Sequence, residues 1–169
     1  MSLFSKLFRK KQAPASISVE VTTPECKALL ALKAQMDSLL QADCYVARSE
    51  YSQLLLDAQK IIEYFGVLKR SNMLGSFCRE NGIDISIVEE TTAEHANFLN
   101  LIEAHNENYI QRAMTSEKHY LDTILHEVDP VIMLDDDQRR VVLTDEDYCL
   151  VIAGAGAGKT TTVAAKVKY

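Results

Sequence analysis

The amino-acid sequence predicts a mainly α-helical protein, an N-terminal helical bundle or antiparallel arm, that leads into the first strand, loop and helix of an α/β fold. Three observations carry this. Apolar residues recur at helical spacing from Thr22 to Val128, Pro130 then interrupts the pattern, and Leu150-Val151-Ile152 runs straight into a glycine-studded loop and Gly158-Lys159-Thr160.

The elements follow in order. Residues 1–21 form a basic tail and linker: Leu3, Phe4, Leu7 and Phe8 recur at helical spacing among Lys6, Arg9, Lys10 and Lys11, and Gln12 to Ser18, with Pro14, reads as a linker. Such a segment can touch an anionic membrane or nucleic acid, or fray as a tail. Residues 22–128 form the helical region. Thr22 and Glu25 have capping-box spacing with Pro24 in the first turn, and Leu29, Leu32, Met36, Leu39 and Leu40 make the first stripe. After a break near Asp43, Tyr51, Leu54, Leu55, Ala58, Ile61, Ile62, Phe65 and Leu68 make the second. Met73, Leu74, Phe77 and Cys78 suggest a short third helix stopped by Asn81-Gly82. Ile83, Ile85 and Ile87 alternate, as in a strand or a docked connector. Thr91 and Glu94 are expected to box the start of a long helix through Phe98, Leu101, Ile102, His105, Tyr109, Ala113, Leu121, Ile124 and Val128, ended by Pro130.

Composition narrows the function classes. With 169 residues, 47% of them hydrophobic and 25% charged, the chain can bury one moderate core. No run approaches the roughly 18 apolar residues of a membrane span. Cys26, Cys44, Cys78 and Cys149 are scattered without a C-x-x-C pair or a secretory leader, which favours reduced packing residues and a cytoplasmic location. His95, His105, His119 and His126 lack metal spacing and read as helical surface or core residues. The net charge of −6 argues against a dedicated nucleic-acid surface in residues 1–169, since phosphate contact needs clustered Lys and Arg.

The chemistry concentrates at residues 148–162. A strand over 148–153 can be buried on both faces, and Gly154, Gly156 and Gly158 let backbone N–H groups converge on phosphate oxygens, with Ala155 and Ala157 between them. Ala153 stands where the usual G-x-x-x-x-G-K-[ST] pattern begins with glycine, and keeps the close approach. Lys159 is expected to reach the β- and γ-phosphates of a nucleoside triphosphate and Thr160 to ligate Mg²⁺, at the end of a helix whose dipole favours an anion. The chain ends at Tyr169, about two turns into that helix. Asp135, Asp136 and Asp137 precede the strand and cannot supply the Mg²⁺ carboxylate, so the expectation is the front piece of a larger motor, inert by itself and loosely held from Tyr148 onward.

A leucine, an acidic stretch, Gln138, Arg139 and an apolar pair, followed by A-G-A-G-x-G-K-T, resembles the Q motif and motif I of UvrD/Rep-type superfamily 1 DNA helicases. Residues Lys159 to Tyr169 are especially similar to the helicase IV branch. The resemblance covers residues 129–169, and implies the start of a RecA-like ATP-binding domain, the cofactors ATP and Mg²⁺, and translocation on single-stranded DNA with duplex separation. Gln138 is the base-reading candidate: an amide offers a donor beside an acceptor, matching adenine N6 and N7. A glutamine merely opening an amphipathic helix is the plain alternative. Arg139 or Arg140 either approaches the nucleotide or lines a solvated face. Thr161 is kept among the nucleotide-contacting residues, although many relatives carry an arginine there. The competing reading is a helical interaction module, for example an arm docking on RNA polymerase, with a nucleotide-binding foot.

Overall fold

The structure, a computed structural model, describes residues 23–169. The basic tail and linker expected over 1–21, and Thr22 of the first expected capping box, lie outside the described residues. Thr23 caps α1 (Pro24–Leu40), its hydroxyl accepting from Cys26 N, with Pro24 in the first turn. Helix α2 (Arg48–Arg70) closes through Asn72 at φ 56°, the left-handed turn that asparagine tolerates. Helix α3 (Leu74–Glu80) closes through Gly82 at φ 66°, as Asn81-Gly82 foretold.

Helix α4 (Ile85–Ser116) is the spine of the molecule. It gives Val88 to a cluster holding Cys26, Leu29, Phe65, Leu74 and Cys78. It gives Phe98 and Ile102 to a second with Leu32, Met36, Val46 and Ala58. Because the start of α1 meets the end of α2, and the end of α1 meets the first half of α2, those two helices are antiparallel. The third cluster joins Ile110 and Ala113 of α4 to Leu121, Ile124, Leu125, Leu134, Val142, Leu143 and Ala165, so packing continues across residue 129.

Several expectations need correction. Ile83 is a buried connector, but Ile85 and Ile87 are not strand: Asp84 caps α4 by accepting from Ser86 N at 2.9 Å, and both isoleucines wind into its first turn. Thr91 therefore opens nothing. It is fully buried in mid-helix, its hydroxyl donating back to Ile87 O at 2.6 Å. The long helix also stops early, because Glu117 ends α4 and begins α5 (Lys118–Thr123), turning the chain so that Leu121 and Ile124 reach the third cluster. Val128, expected on the stripe, is 78% exposed. Of the cysteines, Cys26 and Cys78 are packing residues, whereas Cys44 and Cys149 are exposed. His105 does sit in the helical core region, its ring nitrogens 3.1 and 3.0 Å from Leu40 O and Cys44 O.

Two further helices follow, α6 (Asp136–Leu143) and α7 (Lys159–Lys168), packed on each other with Val142 and Ala165 buried between them. Between them lies the expected strand at 148–153, and no β-strand forms there or elsewhere among the described residues. A strand exists only by pairing its backbone with a neighbour. None is at hand, and Tyr148, Leu150 and Ile152 stand almost wholly exposed. Helical structure resumes at α7, where Thr162 and Ala165 are buried. No helix among the described residues is long and apolar enough to cross a membrane.

Candidate nucleotide-binding site

The loop from Ala153 to Gly158 turns on two left-handed residues, Gly156 at φ 80° and Gly158 at φ 72°, where any other L-residue is strained. Ala157 N donates to Gly154 O at 3.4 Å, closing the turn. At Gly154 an added Cβ meets nothing within 4 Å, so its face of the loop is open. Gly158 is the N-cap of α7, and no side chain caps that helix. The first-turn amides of Lys159, Thr160 and Thr161 therefore lie outside the helical ladder, which begins with Thr162 N donating to Gly158 O at 2.9 Å. Thr160 is exposed in that first turn, Thr161 is half-buried beside it, and Ala155 is exposed on the loop.

Lys159 folds over its own loop, its Nζ donating to Ala153 O at 3.0 Å and Gly154 O at 2.7 Å. These carbonyls hold the ammonium over the turn. A cavity of about 300 Å³ opens beside it, lined by Gln138, Val151, Ala153, Ala157 and Lys159 among others.

Gln138 lies across from the loop on α6. It forms a capping box with Asp135: Gln138 N donates to Asp135 Oδ1 at 2.8 Å, and Asp135 N donates to Gln138 Oε1 at 3.0 Å. Its Nε2 donates to Ala157 O at 3.4 Å. The amide thus uses one lone pair of its oxygen on its own helix and one N–H on the loop, which leaves a second acceptor site and a second donor for a purine edge.

The neighbouring arginines face the helical region instead. Arg139 is largely buried, its Nε donating to Leu134 O at 2.9 Å and its Nη2 to Asp122 at 2.5 Å. Arg140 holds Glu107 of α4 by two bonds, of 3.1 and 2.6 Å, and this guanidinium keeps the Glu107 carboxyl down at about 2. Neither arginine bonds to the loop, and Arg140 lies on a half-exposed face where Glu107 takes its guanidinium.

Sequence reasoning missed three residues that shape the site. Lys166 of α7 donates to Val142 O and Thr144 O at 3.1 and 2.6 Å, closing the C-terminal end of α6. Glu146 and Asp147 bond to the first amides of α2, 98 residues earlier in the chain. A lysine in the last turn of a helix is a familiar partner for carbonyls, but nothing in sequence tells which carbonyls it will find.

The residues present suit a magnesium-bound triphosphate. The open face at Gly154, two left-handed glycines, unspent first-turn amides, a lysine held only by carbonyls and a free threonine hydroxyl supply donors and positive potential at one helix end. Residues 134–169 match the family model of the UvrD/REP helicase N-terminal domain. Neither a curated protein nor a solved structure matches the chain. The matched segment spans the capping box of α6, the loop and α7.

Proposed function

We propose that residues 129–169 are the start of a RecA-like ATP-binding domain of a DNA helicase of the helicase IV kind, preceded by a helical region over 22–128. In this reading Lys159 leaves the carbonyls of Ala153 and Gly154 for the β- and γ-phosphates, Thr160 ligates Mg²⁺, and the amides from Gly154 to Thr161 cradle phosphate oxygens. Gln138 reads adenine, and the motor moves on single-stranded DNA. The observation that carries it is the empty-handed loop itself: two left-handed glycines at the mouth of an uncapped helix, beside a lysine with no carboxylate partner among the described residues. The match of residues 134–169 to a helicase family model supports the same reading.

Calorimetric titration with Mg·ATP and Mg·GTP tests it. The chain is expected to take ATP in preference to GTP, and Lys159→Ala is expected to weaken both by tenfold or more, about 1.4 kcal/mol. Unchanged affinity in Lys159→Ala would overturn the assignment. A second reading, a docking arm, is favoured by the exposed apolar side chains Leu56 and Val67 on α2 and Leu99 on α4.

A further inference from the structure

The segment that leads into the loop has no sheet to hold it, and its fixed point lies at its start. Glu146 Oε1 accepts from Arg48 N at 3.0 Å, Asp147 Oδ2 accepts from Ser49 N at 2.8 Å, and Asp147 Oδ1 accepts from Ser49 Oγ at 2.8 Å. Those amides belong to the first turn of α2, whose N-cap is Ala47, a residue with no side chain able to cap. Two carboxylates from far along the chain do that work, with negative charge at the positive end of the helix.

The turn they grip is itself immobilised. Ala47 N donates to Glu50 Oε2 at 2.7 Å, and buried Asn106 of α4 holds both Val46 N and Val46 O, at 2.8 and 3.0 Å. Beyond Asp147 the side-chain holds on the chain before α7 are Gln138 at Ala157 O and Lys159 at Ala153 O and Gly154 O. The loop is therefore suspended between the first turn of α2 on one side and, on the other, the start of α6 together with α7 packed against it.

We propose that Glu146 and Asp147 are positioning residues for the phosphate loop, through which the helical region sets where the loop lies and responds to what it binds. The second half of this rests on the nucleotide reading above. Binding that orders the loop strengthens the trans-cap of α2, and by reciprocity an intact cap strengthens binding by the same factor.

Amide NMR on the 169-residue chain separates the two halves, with Asp147→Ala, Ser49→Ala and the milder Asp147→Asn, which keeps one acceptor. Without ligand, Asp147→Ala is expected to speed exchange at Ser49 about fivefold and to move the Gly154 and Gly156 resonances, with Asp147→Asn in between. With Mg²⁺ and inorganic tripolyphosphate, a probe without a base, Asp147→Ala is expected to bind about fivefold more weakly, and saturation of the wild type to slow exchange at Arg48 and Ser49. Glycine resonances unmoved while Ser49 exchanges faster would overturn the positioning role. A loop that saturates without slowing Arg48 and Ser49 would overturn the response. Loop amides that ignore tripolyphosphate in the wild type would refute the nucleotide reading and the response with it, leaving the ligand-free glycine shifts to decide positioning.

Discussion

Gln138 and Gly158 meet face to face: the glutamine Nε2 lies so close to the glycine that a Cβ on residue 158 would collide with it. The same amide reaches Ala157 O, so the start of α6 and the exit of the loop form one contact. Glycine is required at 158 for its left-handed φ of 72°, and a Cβ there would also push the end of the Gln138 side chain aside.

Gly158→Ala is therefore expected to distort the loop, costing about 1 to 2 kcal/mol for the backbone alone, and to abolish phosphate binding. Adding Gln138→Ala relieves the collision and not the φ strain, so the double variant should recover stability in part and binding hardly at all. Thermal melts and tripolyphosphate titrations of the three chains check this.

Gln138→Ala by itself carries two expected effects. Loss of the Gln138 half of the capping box, the bond from Asp135 N, costs about 0.5 to 1.5 kcal/mol of stability, while Asp135 still caps the helix. Loss of the base contact weakens ATP more than GTP, by about 1 to 3 kcal/mol of discrimination. Equal losses for the two nucleotides would leave Gln138 with the structural role alone.

Much of the helical region was legible in sequence, because burial there follows helical spacing: Leu29, Leu32, Met36, Phe65, Phe98 and Ile102 all reach a core. Boundaries were harder. Thr91 has the spacing of a cap yet satisfies its hydroxyl within the helix, while Asp84, with no glutamate three residues on, is the true cap. The stripe through Leu121 and Ile124 keeps its period across the break at Glu117, so periodicity alone could not reveal the turn. At the site, the glycines and Lys159 could be read from spacing. The bonds of Glu146 and Asp147 to α2 could not, since they join residues 98 apart whose proximity only the folded chain creates.

The grip of Arg140 on Glu107 should appear as acid sensitivity. The Arg140 guanidinium holds the Glu107 carboxyl down to about 2, against an ordinary 4.5, so the ion pair's contribution to stability is fully present above about 4.5 and is lost as pH falls toward 2, while the apolar packing of α6 on α4 is unaffected. Carboxyl-carbon NMR should follow a single low titration in the wild type, and Arg140→Gln should return Glu107 toward its ordinary range.

Asn106 is the buried polar residue on which the α1–α2 connection depends. Asn106→Ala leaves Val46 N and Val46 O without partners in a buried setting and should cost about 2 to 4 kcal/mol in denaturant unfolding. A loss below about 0.5 kcal/mol would mean that water replaces both bonds.

Hydrogen exchange should trace the exposure pattern of the C-terminal part. Residues 148–157, with Tyr148, Leu150 and Ile152 uncovered, are expected to exchange fast, and protection is expected to return near Ala165, which is fully buried against α6. Fast exchange throughout α7 would contradict that packing.

The most direct test of the account is an amide NMR titration of the 169-residue chain with Mg·ATP. The account predicts shifts concentrated at Gly154 to Thr161 and in the Gln138 side chain, and their disappearance in Lys159→Ala. Shifts confined to the helices of residues 24–116, or loop shifts that persist unchanged in Lys159→Ala, would contradict it.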